Sequence, residues 1–310
     1  MLGILNYSAT LITLAATLAL FSLGLNLQWG MAGLVNFGHV SFMALGSYTT
    51  VLLTLSGVVW YVAAPIGATV AAALGLLIGL ATLRLREDYL GIVTIGVAEL
   101  LRLVIKNERP LGWLTRGDFG IQNFPKPFWP NPQTNPLFGW LTPDQYPWVL
   151  LAVVLGVLLG TLALLQRLTR SPWGRVLRAI REDEAVVTAL GKNVFAFKLQ
   201  AFVLGGAFAG LSGAFYAWHL RAVYPSNFMP EVTFQAWMIV AIGGAGSHWG
   251  VLVGAAVFQL YNSLPRFLPE IGPGRTEAIQ IMLIGLTLIA VMIWRPQGLL
   301  GKKAELTLNK

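Results

Sequence analysis

The sequence predicts an all-α polytopic membrane protein with about nine transmembrane helices, within a range of roughly 8–10. Three observations support this. Of 310 residues, 56% are hydrophobic and only 11% charged, against roughly 25% charged in a soluble domain. The apolar residues gather into segments near 5–27, 37–56, 60–83, 89–107, 148–166, 199–220, 233–244, 251–264 and 276–294. Many of these approach the roughly 20 residues that carry a helix across about 30 Å of hydrocarbon. Lysine and arginine flank these segments instead of forming one patch. That distribution belongs to membrane topology and not to a nucleic-acid footprint.

The first segment, "MLGILNYSATLITLAATLALFSLGLNL", lacks a basic n-region and a clear A-x-A site, so it reads as a retained helix and not a signal peptide. The second contains "GLVNFGHVSFMALGSY", Gly33 to Tyr48, with Asn36, His39, Ser41 and three glycines. A plain lipid-facing helix gains nothing from them. Backbone freed from a helix at membrane depth survives only when buried in protein or lining a cavity. The segment is therefore expected to enter its span through an irregular turn, which Gly33 and Gly38 permit and Asn36 and His39 satisfy. Asn36, Phe37, Gly38, His39 and Ser41 become candidate pathway or broken-helix residues.

The fourth segment carries Glu99, ten residues past Tyr89 and so about 15 Å along the helix. Arg102 and Lys106 follow at i+3 and i+7. An ionisable group at that depth is a candidate functional residue, and a structural Glu99–Arg102 pair is the alternative. The stretch 108–147 is rich in Pro, Asn and Trp and reads as an external cap with interfacial aromatics. Segments 233–244 and 251–264 are short and parted by "GGAGSHWG". They are half-spans or a tight hairpin, with Gly243 and Gly244 as further broken-helix candidates. GxxxG spacings at Gly75/Gly79, Gly156/Gly160, Gly206/Gly210 and Gly250/Gly254 argue for helices packed closely on one another.

Orientation follows from the cations. Arg167, Arg170, Arg175, Arg178, Arg181, Lys192 and Lys198 cluster in one loop, and Arg295, Lys302, Lys303 and Lys310 follow the last segment. The positive-inside rule places both in the cytoplasm, and the four segments between them are an even number. Arg84 and Arg86 then lie inside and 108–147 outside. The chain reads as one membrane domain over residues 1–300 with a tail at 301–310.

With no cysteine, disulfides, thiolate metal sites and cysteine nucleophiles are excluded. No G-x-x-x-x-G-K-[ST] or H-E-x-x-H occurs, and "LGKN" at 190–193 lacks the glycine and hydroxyl of a phosphate loop. His39 and Ser41, two residues apart, would point to different faces of a helix. No catalytic residue, metal ligand or cofactor is expected on this chain, and energy for any pumping must come from elsewhere. The loop 167–198 shows where it could enter. Ser171-Pro172 is a helix start, Val176, Leu177 and Ile180 form an apolar stripe, and "EDEA" from Glu182 to Ala185 suits a second helix start. Gly191 after Leu190 is a helix stop. Two short helices with a sharp bend are predicted at the membrane surface, or an amphipathic loop held by headgroups.

These stretches resemble a known family. "LGLNLQWGMAGLVNFGHVSFMALGSYT", "LRLREDYLGIVTIGVAELLRLVIKN", "GRVLRAIREDEAVVTALGKNVFAFKLQAFVLGGAFAGLSGAFYA", "VAIGGAGSHWGVLVGAA" and "WRPQGLLG" occur in the order seen in the M-type integral-membrane permease of branched-chain amino acid ABC importers. The resemblance covers most of the chain and is weakest over 108–147. It implies a type II importer-like permease bundle in a bacterial or archaeal cytoplasmic (inner) membrane. It implies a homologous second permease, two cytoplasmic ATPases carrying ATP and magnesium, and an external substrate-binding protein. It also implies that "EDEAVVTALG" is similar to the EAA-like coupling loop, with Glu184, Ala185 and Gly191 at matching positions and Arg178, Arg181, Glu182, Asp183 and Leu190 beside them. One departure is "TRGDFGIQ", where Arg116 and Asp118 replace small residues. Related permeases for urea, short amides or other amino acids share nearly all these stretches. An ion-coupled secondary transporter, which would favour inverted repeats, is the alternative of a different class.

Overall fold

A computed structural model describes residues 2–85, 87–107, 115–125, 127, 145–263 and 275–301. Every apolar segment expected from the sequence is a helix: α1 Leu2–Leu25, α2 Val40–Leu55, α3 Trp60–Thr82, α4 Glu87–Lys106, α5 Tyr146–Arg170, α8 Val194–Leu220, α9 Pro230–Gly243, α10 His248–Ser263 and α11 Arg275–Trp294. The short helices α6 Pro172–Glu182 and α7 Glu184–Ala189 occupy the basic loop. A small antiparallel pair joins β1 Ile121–Gln122 to β2 Ala222–Val223.

Among the described residues, four helices are long and apolar enough to cross a bilayer: Asn6–Met31, α3, α5 and α8. The α9–α10 pair, bent by 117° at its break, is a fifth candidate if counted as one span. The expected nine crossings are therefore carried only to four or five. The physical reason is length and charge. The 16-residue α2 and the arms of the bent pair, 14 and 16 residues, fall short of the roughly 20 needed. Helix α4 is long enough but carries Glu87, Asp88, Glu99, Arg102 and Lys106.

The core is built around α8, against which α1, α2 and α3 pack. Phe202, Ala209, Ala214 and Trp218 of α8 are buried with Phe21, Phe42 and Met43. Lipid offers no hydrophobic drive for helix association, so close backbone approach must supply it. A side chain added at Gly210 would strike Ala71, and one at Gly206 would press on Phe42 and the Ala71 carbonyl. Opposite them on α3, Gly75 packs on Val203 and Phe202, and Gly79 on Leu199. Two of the GxxxG spacings thus join α3 to α8, and a third, Gly250/Gly254, seats α10 on Gly243 and Ile239. The fourth departs from expectation: Gly156 and Gly160 face open space. Helix α5 buries Val154, Leu158 and Leu165 instead, which lie on its other side.

The two basic regions assigned to one side by the sequence meet at one end of the bundle, where Arg178, Arg181 and Leu300 line one cavity. Arg84 joins that end, its guanidinium 5.5 Å from the Phe195 ring at the start of α8. Arg86 and Lys302, Lys303 and Lys310 lie outside the described residues, as do most of 108–147 and nearly all of the tail. The terminal "WRPQGLLG" has a visible task. Leu299 N donates to Ile242 O (2.9 Å) and Leu300 N to Gly243 O (3.0 Å), satisfying carbonyls that the end of α9 leaves without intrahelical partners.

Candidate functional site

The segment between α1 and α2 is irregular at the place expected. Helix α1 widens into a π-helix over Asn26–Met31, a distortion that often accompanies functional sites. The chain then leaves helical structure until α2 begins at Val40. Its backbone groups are claimed by other elements. Gly33 N and Leu34 N donate back to Trp29 O and Gln28 O. Phe37 N donates to Thr94 Oγ1 of α4 (3.1 Å), Val40 N to Thr233 Oγ1 of α9 (3.0 Å), and Trp237 Nε1 to Asn36 O (3.1 Å). Gly38 N donates to Asn36 Oδ1, while Asn36 Nδ2 donates to Gln28 Oε1, both 2.9 Å. Gln28 Nε2 in turn donates to Phe202 O in the core helix (2.8 Å). A side chain at Gly38 would run into the Thr94 carbonyl of α4, so only glycine permits this approach.

The remaining expected members are buried as well. His39 Nε2 lies 3.1 Å from Phe21 O and therefore carries the ring proton. Ser41 Oγ donates to Gly38 O (2.6 Å), tying the start of α2 to its own turn. Asn36, His39 and Ser41 are all at most 2% exposed, and these bonds run to protein groups. Phe37 differs. It stacks with Trp237 (5.2 Å) and Phe234 (5.6 Å), and Trp237 stacks with Trp29 (4.3 Å). Phe234 is 44% exposed, so this aromatic group opens onto the outside of the chain.

Gly243 and Gly244 mark the bend between α9 and α10, with φ +110° at Gly244. Behind the bend, Asn26 Oδ1 accepts from Gly246 N (2.8 Å), which turns Asn26 Nδ2 toward His248 Nδ1 (3.1 Å). The His248 ring is thereby neutral, with its Nε2–H facing Thr169 Oγ1 (3.3 Å). The two broken elements are thus joined through Asn26. Sequence reasoning missed Asn26, Gln28, Thr94, Thr233, Trp237 and His248. The available signal was a polar residue inside an apolar stretch, as in "LGLNLQWG".

Glu99 pairs with Arg102 at i+3 (2.5 Å), the alternative the sequence offered, and their side chains are 38% and 16% exposed. Counting residues along α4 gives the position along the helix but not which side a group occupies. Lys106 does not join this pair; its ammonium lies 3.4 Å from Asp118.

The basic loop has the expected two helices. Leu177 and Ile180 are buried and anchor α6. Asp183 caps α7, its Oδ1 accepting from Ala185 N (2.8 Å) and Val186 N (3.1 Å). Gly191 ends the turn with φ +73° and nothing packed near it. The candidate coupling residues divide into two sets. Arg181 Nη1 donates to Gly30 O in the π-helix (2.6 Å), Arg178 lies over Thr169 O and Gly174 O, and Glu184 pairs with Lys198 (2.5 Å). These three bond to groups of their own fold, though Arg181 and Glu184 are themselves exposed. Glu182, Ala185 and Leu190 face outward with Val186, and Leu190 is 73% exposed.

Residues 7–292 match the family described as "Branched-chain amino acid transport system / permease component". The chain is similar to the high-affinity branched-chain amino acid transport system permease protein LivM of Escherichia coli K12, at 34% identity over 93% of this chain and 68% of that protein. It is 26% identical to the probable LivM of Methanocaldococcus jannaschii, over 92% of this chain and 91% of that one. It is also 25% identical to the permease protein LivH of E. coli K12, over 94% and 93% respectively. No solved structure matches it.

Proposed function

The chain belongs to the family of branched-chain amino acid transport system permease components, and on that premise we propose that it is one membrane subunit of an ABC importer for branched-chain amino acids. The observation that carries this is the match over residues 7–292 together with the similarity to LivM. A homologous LivH-like permease completes the pathway. Two ATPases bind ATP and magnesium on the cytoplasmic side of the inner membrane, and an external binding protein delivers the amino acid. The test is reconstitution of this chain with those partners in lipid and measurement of ATP-dependent leucine uptake. Uptake of urea or acetamide in place of leucine, or uptake by this chain alone on an ion gradient, would refute the reading.

In this reading Glu182, Ala185, Val186 and Leu190 present the outward side of the coupling element to an ATPase. Arg181, through Gly30, ties that element to the π-helix, and Asn26 and Gln28 tie the π-helix to the bend at Gly244 and to the broken segment. ATPase movement would reach the broken helices along this chain of contacts. The partly exposed side of α4 and α9 carries Glu99, Arg102 and Phe234, with Phe37 of the broken segment packed beside Phe234. An ionised pair on an apolar helix faces a bundle interior or water-filled cavity and not lipid. This side therefore faces the sister permease and the passage between the two, where aromatic walls suit an aliphatic side chain.

Two predictions arise here. In this cysteine-free chain, Ser226→Cys and Ala185→Cys should label from opposite sides of the membrane, external and cytoplasmic respectively, with an impermeant maleimide. Labelling of both from outside would overturn the orientation. Glu99→Gln should cut transport several-fold yet cost less than about 1 kcal/mol of stability, since partly exposed helical pairs contribute little. A large fall in melting temperature with normal residual transport would make the pair structural only.

A further inference from the structure

The end of α4 brings charges of both signs to one place. Arg102 Nε donates to Glu99 Oε2 (2.8 Å) and Nη2 to Oε1 (2.5 Å), which leaves Nη1, with its two donors, outside the pair. One turn on, Lys106 Nζ lies 3.4 Å from Asp118 Oδ2, with side chains 43% and 66% exposed. Glu231, in the first turn of α9, acts electrostatically on Arg102 together with Asp118. The backbone fixes where Asp118 sits. Thr115 Oγ1 donates to Ile105 O (2.9 Å), tying the turn Gly117–Phe119 to α4, and beyond it Ile121 pairs with Val223. Arg116 enters that turn at φ +58°, a left-handed conformation that costs free energy outside glycine. Such strain gathers at ligand clamps and other functional sites. Toward the cytoplasm the charges give way to aromatics. Phe37 lies against Gly91 and Thr94, roughly two to three turns before Arg102, and stacks on Phe234 and Trp237.

We infer that this place receives a zwitterionic amino acid at the external mouth of the passage. Arg102 and Lys106 take its carboxylate, Asp118 and Glu231 take its ammonium, and the aromatic group beyond them takes an aliphatic side chain. The inference rests on the importer reading above, which puts this side of α4 and α9 at the passage. Partnering among the residues themselves does not close the site. An exposed pair such as Lys106–Asp118 contributes little to stability, so exchanging its partners costs little. A ligand of one sign would leave either Lys106 or Asp118 without a partner, whereas a zwitterion supplies one for each. Uncharged urea or a short amide offers neither. The site therefore selects for paired charges by balance, without the tight fit that would slow passage.

The test uses single cysteines in this cysteine-free chain within the assembled transporter. Phe119→Cys places the reporter beside Asp118, at a position 79% exposed, and Ser56→Cys places a control on the turn between α2 and α3. Labelling of this chain by an impermeant maleimide is timed without binding protein, in the presence of leucine, isocaproate or isopentylamine. The last two carry the carboxylate alone and the ammonium alone. Leucine should slow labelling at Phe119→Cys at a concentration roughly tenfold below that of either fragment, the worth of one charge-assisted contact. Lys106→Gln should weaken leucine and isocaproate roughly tenfold without weakening isopentylamine, and Asp118→Asn should weaken leucine and isopentylamine without weakening isocaproate. Both substitutions are at exposed positions, and their opposite signatures separate lost contacts from a distorted fold. No protection by leucine, equal protection at Ser56→Cys, or equal weakening of both fragments in either variant overturns the proposal. ATP-dependent leucine uptake by the same complex, with binding protein added, keeps the two ideas apart. Uptake without protection overturns this site alone, and absence of uptake from the assembled complex overturns the importer reading.

Discussion

Asn36→Leu is expected to destabilise the permease severely and to abolish uptake. The Asn36 amide is the hinge of the broken segment: its oxygen accepts from Gly38 N and its nitrogen donates to Gln28 Oε1. Leucine fits the space approximately but strands both groups, and Gln28 and Gly38 are buried. Each unsatisfied buried group costs about 1–3 kcal/mol, so the pair costs roughly 2–6 kcal/mol against a typical 5–15 kcal/mol of total stability. Side-chain hydrogen bonds inside membranes average only about 0.6 kcal/mol, so two of them set a floor of roughly 1.2 kcal/mol. The higher figure applies while the broken segment keeps its shape, and the chain has an escape. Without the Asn36 cap, residues 32–38 regain their hydrogen bonds most easily by becoming helical, which pulls Phe37 from Thr94 and Val40 from Thr233. The measurement is thermal unfolding of Asn36→Leu, Gln28→Leu and the double variant. A coupling of about 0.5–3 kcal/mol marks a shared network. Simple additivity of the two changes would show that Asn36 and Gln28 act separately.

The helices were legible because hydropathy is a local property. Each of the nine apolar segments became a helix, most with ends moved by only a few residues, and the Ser171-Pro172 start, the acidic N-cap and the Gly191 stop fell where expected. What stayed hidden depends on which side of a helix meets which neighbour. Asn36 was visible as a polar residue needing a partner, but Asn26 and His248 are 222 positions apart, and no periodicity links them. The π-helix at Asn26–Met31 has no propensity signature, because it forms to serve tertiary contacts. The same holds for Glu99: its position along the helix could be counted, but the side it occupies is set by how α4 packs. Gly156 and Gly160 repeat a helix-packing spacing, yet they lie on the side of α5 that this chain leaves open.

Gly191→Val and Glu184→Arg should each leave the membrane bundle folded and uncouple it from ATP hydrolysis, for two different physical reasons. At Gly191 there is room for valine, since nothing lies near, but the φ of +73° is one that a β-branched residue resists. Relieving it costs over about 1 kcal/mol locally or rotates the turn, which re-aims the outward residues Ala185, Val186 and Leu190 as a unit. At Glu184 the effect is internal. Its carboxylate holds Lys198, whose side chain is only 9% exposed, and arginine there would set two cations together at the root of α8. The short α7 would then swing away from the bundle. The Asp183 cap keeps it helical, so the loss is of position and not of structure. Both variants should reach the membrane and pair with the sister permease. They should fail to retain the ATPases, or retain them without the rise in hydrolysis that loaded binding protein produces. Co-purification and ATPase activity in lipid, compared with wild type, read both. Glu184→Gln separates the causes: it removes the ion pair without adding a cation, and should show an intermediate loss. If Gly191→Val and Glu184→Arg keep full stimulated turnover, the element from Glu182 to Gly191 does not couple the permease to its ATPases.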